Sequence, residues 1–263
     1  MEFNDLIYTE KDGVATITIN RPEKYNAFRN QTAEEMIKAF SLAGWNPDIG
    51  VVVLTGVGDK AFCTGGDQSS DSHEGSYGGR GTLGMPMEEL HTIIRDIPKP
   101  VIARVNGYAI GGGHVLHILC DLTIASDNAI FGQVGPGMGS VDPGYGTAYM
   151  ARLVGEKKAR EIWYLCRRYS AQEAMDMGLV NKVVPFDKLD EEVDIWCQEI
   201  MAKSPTALAI AKRSFNADTE HIRGLGVLGF QSVKAYYETE ESKEGVNAFR
   251  EKRKPDFRKY QPR

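Results

Sequence analysis

The sequence predicts an α/β core followed by a helical C-terminal region. Short apolar runs typical of buried strands alternate with amphipathic helical patterns as far as about residue 185. From Leu189 onward the apolar spacing is helical throughout. Alternating strands and helices favour a layered α/β fold, and the helices that follow favour an appended helical layer. We therefore divide the chain into a core, residues 1–200, and a helical region, residues 201–263.

The individual elements follow from local patterns. Strand patterns alternate strictly or form short apolar runs, and they cover residues 14–20, 51–55, 101–105, 122–125, 129–131 and 179–184. Helical spacing covers residues 32–42, 86–95, 146–154, 157–166, 189–203, 206–215, 225–237 and 239–249. Thr32 with Glu35, and Ser170 with Glu173, have the spacing of capping boxes that begin a helix. Residues 67–84 are rich in Gly, Ser and Asp and predict a long loop, which in compact domains is usually functional or disordered.

Composition excludes several classes of function. Of the 263 residues, 42% are hydrophobic and 25% are charged, which is ordinary for a globular protein. The net charge is −5, which argues against nucleic acid as the main partner. The N-terminus has no apolar signal core, and no run approaches the 18 apolar residues of a membrane span. We expect a cytoplasmic protein that acts on a small molecule.

The cysteines predict neither disulfides nor a metal site. Cys63, Cys120, Cys166 and Cys197 show no CxxC or metal-binding spacing. Three of the four lie in apolar helix or strand patterns, which favours buried thiols.

Two glycine-rich stretches each follow a predicted strand. One is Phe62–Asp67, after the strand at 51–55, and the other is Gly107–Gly113, which leads from the strand at 101–105 into a helix. Glycine allows positive φ and close approach to the backbone, and the first N–H groups of a helix have no internal partner. Either stretch alone could be a plain tight turn. Together they could aim two N–H groups at one oxygen, which is the geometry of an oxyanion hole.

These stretches resemble the crotonase (enoyl-CoA hydratase/isomerase) superfamily. The resemblance rests on Asn20-Arg21-Pro22 with Asn26-Ala27, on Ala61–Asp67 and on Gly107–Gly113, in this order and spacing. It implies a spiral of ββα turns, a helical oligomerisation region, and a homotrimer or homohexamer. It also implies an acyl-CoA substrate whose thioester oxygen would bind the N–H groups of Gly66 and Gly112.

The hydratase subgroup of this superfamily carries two catalytic glutamates, and this chain lacks both. Val115 stands at the first position and Gly135 at the second. Neither residue can move a proton. Simple addition of water to an enoyl-CoA by that pair is therefore not expected.

A second loop, Gly139–Gly146, presents Ser140 and Asp142. Unaided, Asp142 could be a general acid or base, or it could simply form a turn or cap the next helix. The loop, with the stretches 111–117, 160–163 and 253–257, resembles the dihydroxynaphthoyl-CoA synthase branch of the superfamily. That resemblance implies that Ser140, Asp142 and Tyr237 carry catalysis.

Within that branch the chain departs from the synthases. Ser69 and Ser70 stand where synthases have basic residues, and Pro143 with Tyr145 alters the catalytic loop. As a whole, and most of all over residues 85–115 and 204–216, it resembles the 2-ketocyclohexanecarboxyl-CoA hydrolases of alicyclic and aromatic acid degradation. These open a cyclic β-keto thioester with water. The alternative is ring closure of o-succinylbenzoyl-CoA, as in menaquinone biosynthesis. RNA-binding and inactive crotonase folds are disfavoured by the acidic balance and the complete Ser140, Asp142 and Tyr237 set.

Both reactions need one thioester enolate held in one place. The hypothesis assigns the enolate oxygen to the Gly66 and Gly112 N–H groups. Tyr237 donates to the ring ketone, and Asp142, oriented by Ser140, relays protons. No metal or redox cofactor is required.

The resemblance also implies residues that contact the CoA ester or an added anion. Those expected to contact the CoA ester are Lys24, Ala61, Gly65, Tyr77, Arg80, Phe249 and Lys252. Some synthases bind bicarbonate in place of the missing glutamate. The matching residues here are Gln133, Gly135 and Trp163, but Val134 replaces a threonine hydroxyl. Bicarbonate is therefore a possible, not a required, ligand.

Overall fold

The computed structural model describes residues 2–69 and 77–261, and in this part of the chain ten strands form two sheets. The strands are β1 (Leu6–Lys11), β2 (Val14–Ile19), β3 (Val51–Gly56), β4 (Ala61–Cys63), β5 (Val101–Val105), β6 (Tyr108–Ile110), β7 (Leu122–Ser126), β8 (Ile130–Gly132), β9 (Tyr169–Ser170) and β10 (Lys182–Val184).

The two sheets are built by one repeated chain path. The larger has the order β1-β2-β3-β5-β7-β10 and the smaller the order β4-β6-β8-β9. Pairing is parallel except between β1 and β2 and between β8 and β9. The successive pairs β3/β4, β5/β6 and β7/β8 each place one strand in the large sheet and the next in the small sheet. A helix follows each pair, so the chain winds as a spiral of ββα turns, which confirms the expected fold class.

The helices cover the sheets and then continue alone. They are α1 (Asn30–Trp45), α2 (Met87–Asp96), α3 (Gly112–Leu119), α4 (Gly135–Met138), α5 (Met150–Val154), α6 (Glu156–Leu165), α7 (Ala171–Asp176), α8 (Leu189–Met201), α9 (Pro205–Asp218), α10 (His221–Tyr237) and α11 (Glu240–Arg250). Short 3₁₀ turns cover Pro22–Lys24, Phe186–Lys188 and Arg258–Tyr260, and a π-helical turn covers Tyr145–Tyr149.

Most predicted elements are confirmed within a few residues, and the exceptions have local causes. The three-residue strands β4 and β6 and the polar strand β1 escaped detection because they are too short or too exposed to show a period. The predicted cap at Thr32 is wrong. The helix α1 begins at Asn30, and the Thr32 hydroxyl accepts a hydrogen bond from the Arg29 N–H at 3.1 Å. The capping box of Ser170 and Glu173 is confirmed.

The helical region is fastened to the core by a buried lysine. The Lys212 ammonium on α9 donates to the carbonyls of Ile94 and Lys99 at 3.0 and 2.9 Å and to the Asp121 carboxylate at 2.7 Å. A buried ammonium needs such partners, since an unpaired charge inside a protein is costly. These contacts fix α9 against α2 and β5. The boundary at residue 200 stays a prediction.

The thiol prediction is confirmed, because all four cysteines are free and three are buried, with Cys166 half-buried. Among the described residues, no helix is long and apolar enough to cross a bilayer.

Candidate active site

One cavity of about 740 Å³ lies between the first glycine turn, the start of α3, the loop at 139–146 and the last two helices. Its wall includes Gly66, Gly112, Ser140, Asp142 and Tyr237. The structure therefore brings together all five residues that the sequence singled out for catalysis. The part of residues 67–84 that covers 70–76 lies outside the described residues.

The two glycine turns touch each other at the cavity wall. Gly65 has φ +86°, and a Cβ atom at this position would lie 2.9 Å from the Gly112 nitrogen. Only glycine tolerates both the conformation and the approach. A Cβ atom at Gly112 would in turn lie 2.6 Å from the Phe28 ring. This packing explains why glycine is needed on both sides of the contact.

The N–H groups of Gly66 and Gly112 are available to a ligand for different reasons. Gly66 and Phe28 form a parallel β-bridge. Its hydrogen bonds are made by the backbone of Gly65 and Asp67, the two chain neighbours of Gly66. The Phe28 N–H donates to the Gly65 carbonyl, and the Asp67 N–H donates to the Phe28 carbonyl, both at 2.8 Å. The Gly66 N–H consequently points away from Phe28. Gly112 is the first residue of α3, where an N–H group has no partner within the helix.

A buried ion pair holds the first turn in place. The Arg21 guanidinium donates to the Asp67 carboxylate at 2.9 Å and to the Ala27 carbonyl at 2.6 Å. Burial alone would raise the pKa of Asp67, but hydrogen bonds from Ser69 and Arg21 outweigh it and lower that pKa. The Asn26 amide donates to the Ala61 carbonyl at 2.7 Å. The Asn-Arg-Pro and Asn-Ala stretches therefore act as the support of the turn.

The opposite wall presents a serine and a tyrosine from distant parts of the chain. The Ser140 hydroxyl and the Tyr237 hydroxyl are 2.6 Å apart. Gly144, with φ +75°, lets the loop approach α10, because a Cβ atom there would lie 2.7 Å from the Gly226 backbone. The hypothesis that Ser140 orients Asp142 is corrected, because the Ser140 hydroxyl is hydrogen-bonded to the Tyr237 hydroxyl instead.

Asp142 is the carboxylic acid of the cavity wall whose pKa is raised by burial. Within the described part of the chain, its Oδ1 atom is buried and has no hydrogen-bond partner. Burial raises the pKa of Asp142 to about 7, the Gly146 N–H opposes this shift, and the negative charge of Glu88 adds to it. Burial also raises the pKa of Tyr237, which keeps the phenol protonated. The pair thus provides a group that exchanges protons near neutrality beside a hydrogen-bond donor.

The structure explains why the two hydratase glutamates have no counterpart. Val115 is fully buried in the core. A Cβ atom at Gly135 would lie 2.6 Å from the Ser140 carbonyl oxygen and 2.9 Å from the Trp163 ring. Neither position could hold a carboxylate in the cavity without rearrangement.

The same crowding bears on bicarbonate. The Trp163 indole N–H already donates to the Gly146 carbonyl at 2.6 Å, and Val134 offers no hydroxyl. The Gln133 Nε2 atom is buried and lacks a partner among the described residues. With the Trp163 N–H already paired, no hydroxyl at Val134 and no room beside Gly135, these residues do not fit a bound bicarbonate.

The expected binding residues divide into two sets. Those in the cavity wall are Lys24, Gly65, Tyr77, Gln133, Gly135, Trp163 and Phe249. The structure places the other three elsewhere. Ala61 is buried, with its carbonyl bonded to Asn26. The Arg80 side chain pairs with Glu34 and Glu89 instead of facing the cavity. Lys252 is exposed beyond the end of α11, and its contact with a neighbouring subunit stays a prediction.

Several wall residues were not anticipated. Arg168 lies over the Tyr108 ring at 5.8 Å, and Tyr108 packs edge-on against Tyr25 at 6.4 Å. Five further wall residues are apolar: Leu83, Met85, Met87, Val141 and Phe230. Gln68 donates to the Tyr77 hydroxyl at 2.9 Å. No local motif marks these residues, because separate segments of the chain supply them.

Two main-chain amides, a carboxyl and a phenol line one cavity, and this set of groups is suited to stabilising an oxyanion on a carbonyl compound. Comparison with known proteins agrees. Residues 9–260 match the family described as enoyl-CoA hydratase/isomerase. An enoyl-CoA hydratase from Mycobacterium avium subsp. paratuberculosis K-10 is 29% identical, with a TM-score of 0.86 and coverage of 97% of this chain and 99% of the other.

Two further structures show the same likeness. An enoyl-CoA hydratase from Bacillus anthracis is 30% identical, with a TM-score of 0.74 over 96% of this chain and 98% of the other. OdaA of Pseudomonas aeruginosa is 25% identical, with a TM-score of 0.85 over 93% and 98%. The chain belongs to the enoyl-CoA hydratase/isomerase family, which is the crotonase superfamily. It is an acyl-CoA-processing enzyme of that superfamily.

Proposed function

We propose that the enzyme opens the ring of a cyclic β-keto acyl-CoA with water, converting 2-oxocyclohexane-1-carbonyl-CoA to pimeloyl-CoA. The proposal depends on one observation, the environment of the Asp142 carboxyl. Its Oδ1 atom is buried in the same cavity wall as the Ser140–Tyr237 pair and its pKa is raised to about 7, while neither hydratase glutamate is present. Such a group can take a proton from water and return it within one turnover.

The proposed reaction gives each of these groups one task. The thioester oxygen accepts from the Gly66 and Gly112 N–H groups, and the Tyr237 hydroxyl donates to the ring ketone. Asp142 removes a proton from the water that adds to the ketone carbon. The bond between that carbon and the α-carbon breaks, and its electron pair becomes the thioester enolate. Asp142 returns that proton to the α-carbon. The former ketone carbon is then a carboxylic acid, which releases the second proton of the water to solvent and becomes a carboxylate.

The residues of the cavity wall support a CoA ester of an uncharged ring. Lys24 and Arg168 belong to the wall and supply positive charge for the phosphates of CoA. Leu83, Met85 and Phe230 also belong to it and are buried, which favours a carbocycle without charged substituents. These apolar residues are the reason to prefer ring opening to the naphthoyl-CoA synthase reaction, whose substrate carries an aryl carboxylate.

We also propose that the protein assembles as a homotrimer or homohexamer. Helices α9 and α10 expose apolar side chains, with Phe215 79% accessible and Ile210, Leu225 and Leu228 also exposed. An apolar face of this kind is typical of an interface. Light scattering coupled to gel filtration should give three or six copies, and a monomer would contradict the assembly.

The deciding experiment measures turnover of three CoA esters by one enzyme preparation. We expect conversion of 2-oxocyclohexane-1-carbonyl-CoA to pimeloyl-CoA, and no hydration of crotonyl-CoA. Closure of o-succinylbenzoyl-CoA would instead establish the synthase alternative, and hydration of crotonyl-CoA would overturn the argument from the missing glutamates. Asp142→Asn is the control for enzyme-dependent turnover.

A further inference from the structure

The last helix reaches across to the first glycine turn through a single arginine. The Arg250 guanidinium, at the end of α11, donates to the Gln68 carbonyl at 3.0 Å from Nη2 and 3.3 Å from Nε. Nη2 also donates to the Ser69 carbonyl at 3.3 Å. These contacts join residues that are about 180 positions apart, so they constrain the tertiary arrangement and not merely a local turn.

Gln68 passes this contact on to the oxyanion turn. Its side-chain Nε2 donates to the Gly66 carbonyl at 3.2 Å and to the Tyr77 hydroxyl at 2.9 Å. A Cβ atom at Gly66 would lie 2.3 Å from that same hydroxyl, so Tyr77 rests directly on the glycine. Arg250 therefore stands two hydrogen bonds from the residue whose N–H group would hold the thioester oxygen.

The other end of α11 is joined to the loop that carries Ser140. A Cβ atom at Gly245 would lie 2.3 Å from the Met138 carbonyl carbon, and one at Gly139 would lie 2.2 Å from the Ser242 carbonyl oxygen. The Ser242 hydroxyl donates to the Tyr237 carbonyl at 3.2 Å. Backbone contact this close means that the helix and the loop cannot shift independently.

A buried glutamate keeps α11 and the chain after it in this position. The Glu244 carboxylate accepts from the Arg253 guanidinium at 2.6 and 3.2 Å and from the Asp256 N–H at 2.7 Å. The Arg253–Asp256 stretch, which carried part of the sequence resemblance, thus fastens the helix from which Arg250 projects. Its contacts explain that stretch as structural support.

We propose that Arg250 is a positioning residue that acts through Gln68 to set the Gly66 N–H group against the Ser140–Tyr237 wall. The helix α11 then connects the two halves of the site, and the distance between oxyanion donor and phenol depends on it. The effect belongs to the chemical step because a misplaced donor stabilises the charged enolate oxygen less than a well-placed donor does, whereas the neutral thioester oxygen of the ground state gains little from either. This inference rests on the enolate of the proposed function.

The test compares Arg250→Met, Arg250→Lys and Gln68→Leu with Lys254→Met, which alters an exposed cation four residues after the end of α11. We expect Arg250→Met to lower kcat about tenfold, less than the 10²–10³-fold of losing an oxyanion donor outright, with KM changed less than about twofold. Arg250→Lys should restore part of the loss. The double variant of Arg250→Met and Gln68→Leu should be no slower than the slower single variant, since the two residues act in series.

A second readout does not depend on the identity of the ring substrate. Acetoacetyl-CoA is a β-keto thioester whose enolate has its own ultraviolet absorbance. We expect less bound enolate at a given pH in Arg250→Met than in the wild type, and no change in Lys254→Met. If Arg250→Met binds less enolate but the wild type does not turn over the ring substrate, the positioning role of Arg250 is supported and the ring-opening proposal is contradicted.

Three outcomes would overturn the inference. An unchanged kcat and enolate absorbance would show that Arg250 does not act on the site. A raised KM at unchanged kcat would make Arg250 a surface cation for the CoA phosphates. Losses that are additive in the double variant would show that Gln68 and Arg250 act separately.

Discussion

The two walls of the cavity reach their geometry by different means. The glycine wall is made of backbone, and Gly65, Gly66 and Gly112 are held by their own packing and by the ion pair of Arg21 and Asp67. The opposite wall is made of side chains, and its Ser140 and Tyr237 hydroxyls are hydrogen-bonded although the two residues lie 97 positions apart in the sequence. The first wall is held by contacts within the core and is joined to the last helix through Arg250, while the second wall takes one of its two hydroxyls from the C-terminal helices.

This difference indicates what each wall contributes. Backbone donors are fixed before the substrate arrives and cost little reorganisation, so they suit the charge that every crotonase-type reaction develops. Side chains can be exchanged without rebuilding the spiral, so they suit the steps that differ between reactions. Changes on the side-chain wall should therefore alter chemistry, and changes on the glycine wall should alter charge stabilisation.

The largest expected effect comes from the acid of the side-chain wall. Asp142→Asn should lower kcat on the order of 10³-fold, because general acid–base catalysis typically contributes 10²–10⁴-fold. The wild-type rate should rise with pH through about 7, as the carboxyl of raised pKa becomes the ionised base. That limb should be absent in Asp142→Asn. If the rates of the wild type and of Asp142→Asn rise with pH in the same way, the titrating group is not Asp142.

The same carboxyl should make folding stability depend on pH. Its pKa is about 7 in the folded protein and about 3.9 when unfolded. Between these values the folded state holds a proton that the unfolded state has lost. The free energy of unfolding therefore falls as pH rises through this window. From pH 5 to pH 8 the stability of Asp142→Asn relative to the wild type should rise by about 3 kcal/mol.

Urea denaturation at one protein concentration measures this difference, since assembly also affects apparent stability. The comparison of two proteins cancels the other titrating groups. A relative stability that stays constant between pH 5 and pH 8 would show that the Asp142 carboxyl is not desolvated.

On the glycine wall, Gly66→Ala should lower kcat about 10²-fold with the fold intact. The added Cβ atom would meet the Tyr77 hydroxyl at 2.3 Å and displace a donor whose complete loss costs about 10²–10³-fold. Adding Tyr77→Phe should recover part of the rate, because the collision with the hydroxyl disappears. Gly224→Ala is the matched control, since a Cβ atom there meets nothing within 4 Å. Full activity of Gly66→Ala would remove Gly66 from the oxyanion site.

The contrast between the walls also explains how far the sequence alone could lead. The glycine turns could be predicted because each follows a strand pattern in the chain and the second leads directly into a helix. The ββα order of β3 to β8 was only partly visible, since β4 and β6 are too short to show a period. The resemblance to a known superfamily supplied the spiral that local patterns could not.

The residues of the side-chain wall could be identified from the sequence, but their contacts with one another could not be predicted from it. The loop motif indicated Ser140 and Asp142, yet nothing local showed that the serine hydroxyl is bonded to Tyr237 and leaves Asp142 Oδ1 without a partner. The displacement of Arg80 from the cavity has the same origin, because Glu34 and Glu89 reach it from two helices. Partners of this kind are set by tertiary packing, which periodicity does not encode.

The smallest effect tests whether the hydroxyls of Ser140 and Tyr237 act as one unit. Tyr237→Phe should lower kcat about tenfold to 10²-fold, because it removes the donor to the ring ketone but leaves Asp142 and both amides. Ser140→Ala should cost less, since it removes only the partner that orients the phenol at 2.6 Å. If Ser140 acts through Tyr237, the double variant should be no slower than Tyr237→Phe alone. Additive losses in this double-mutant cycle would instead give Ser140 a direct role toward the substrate.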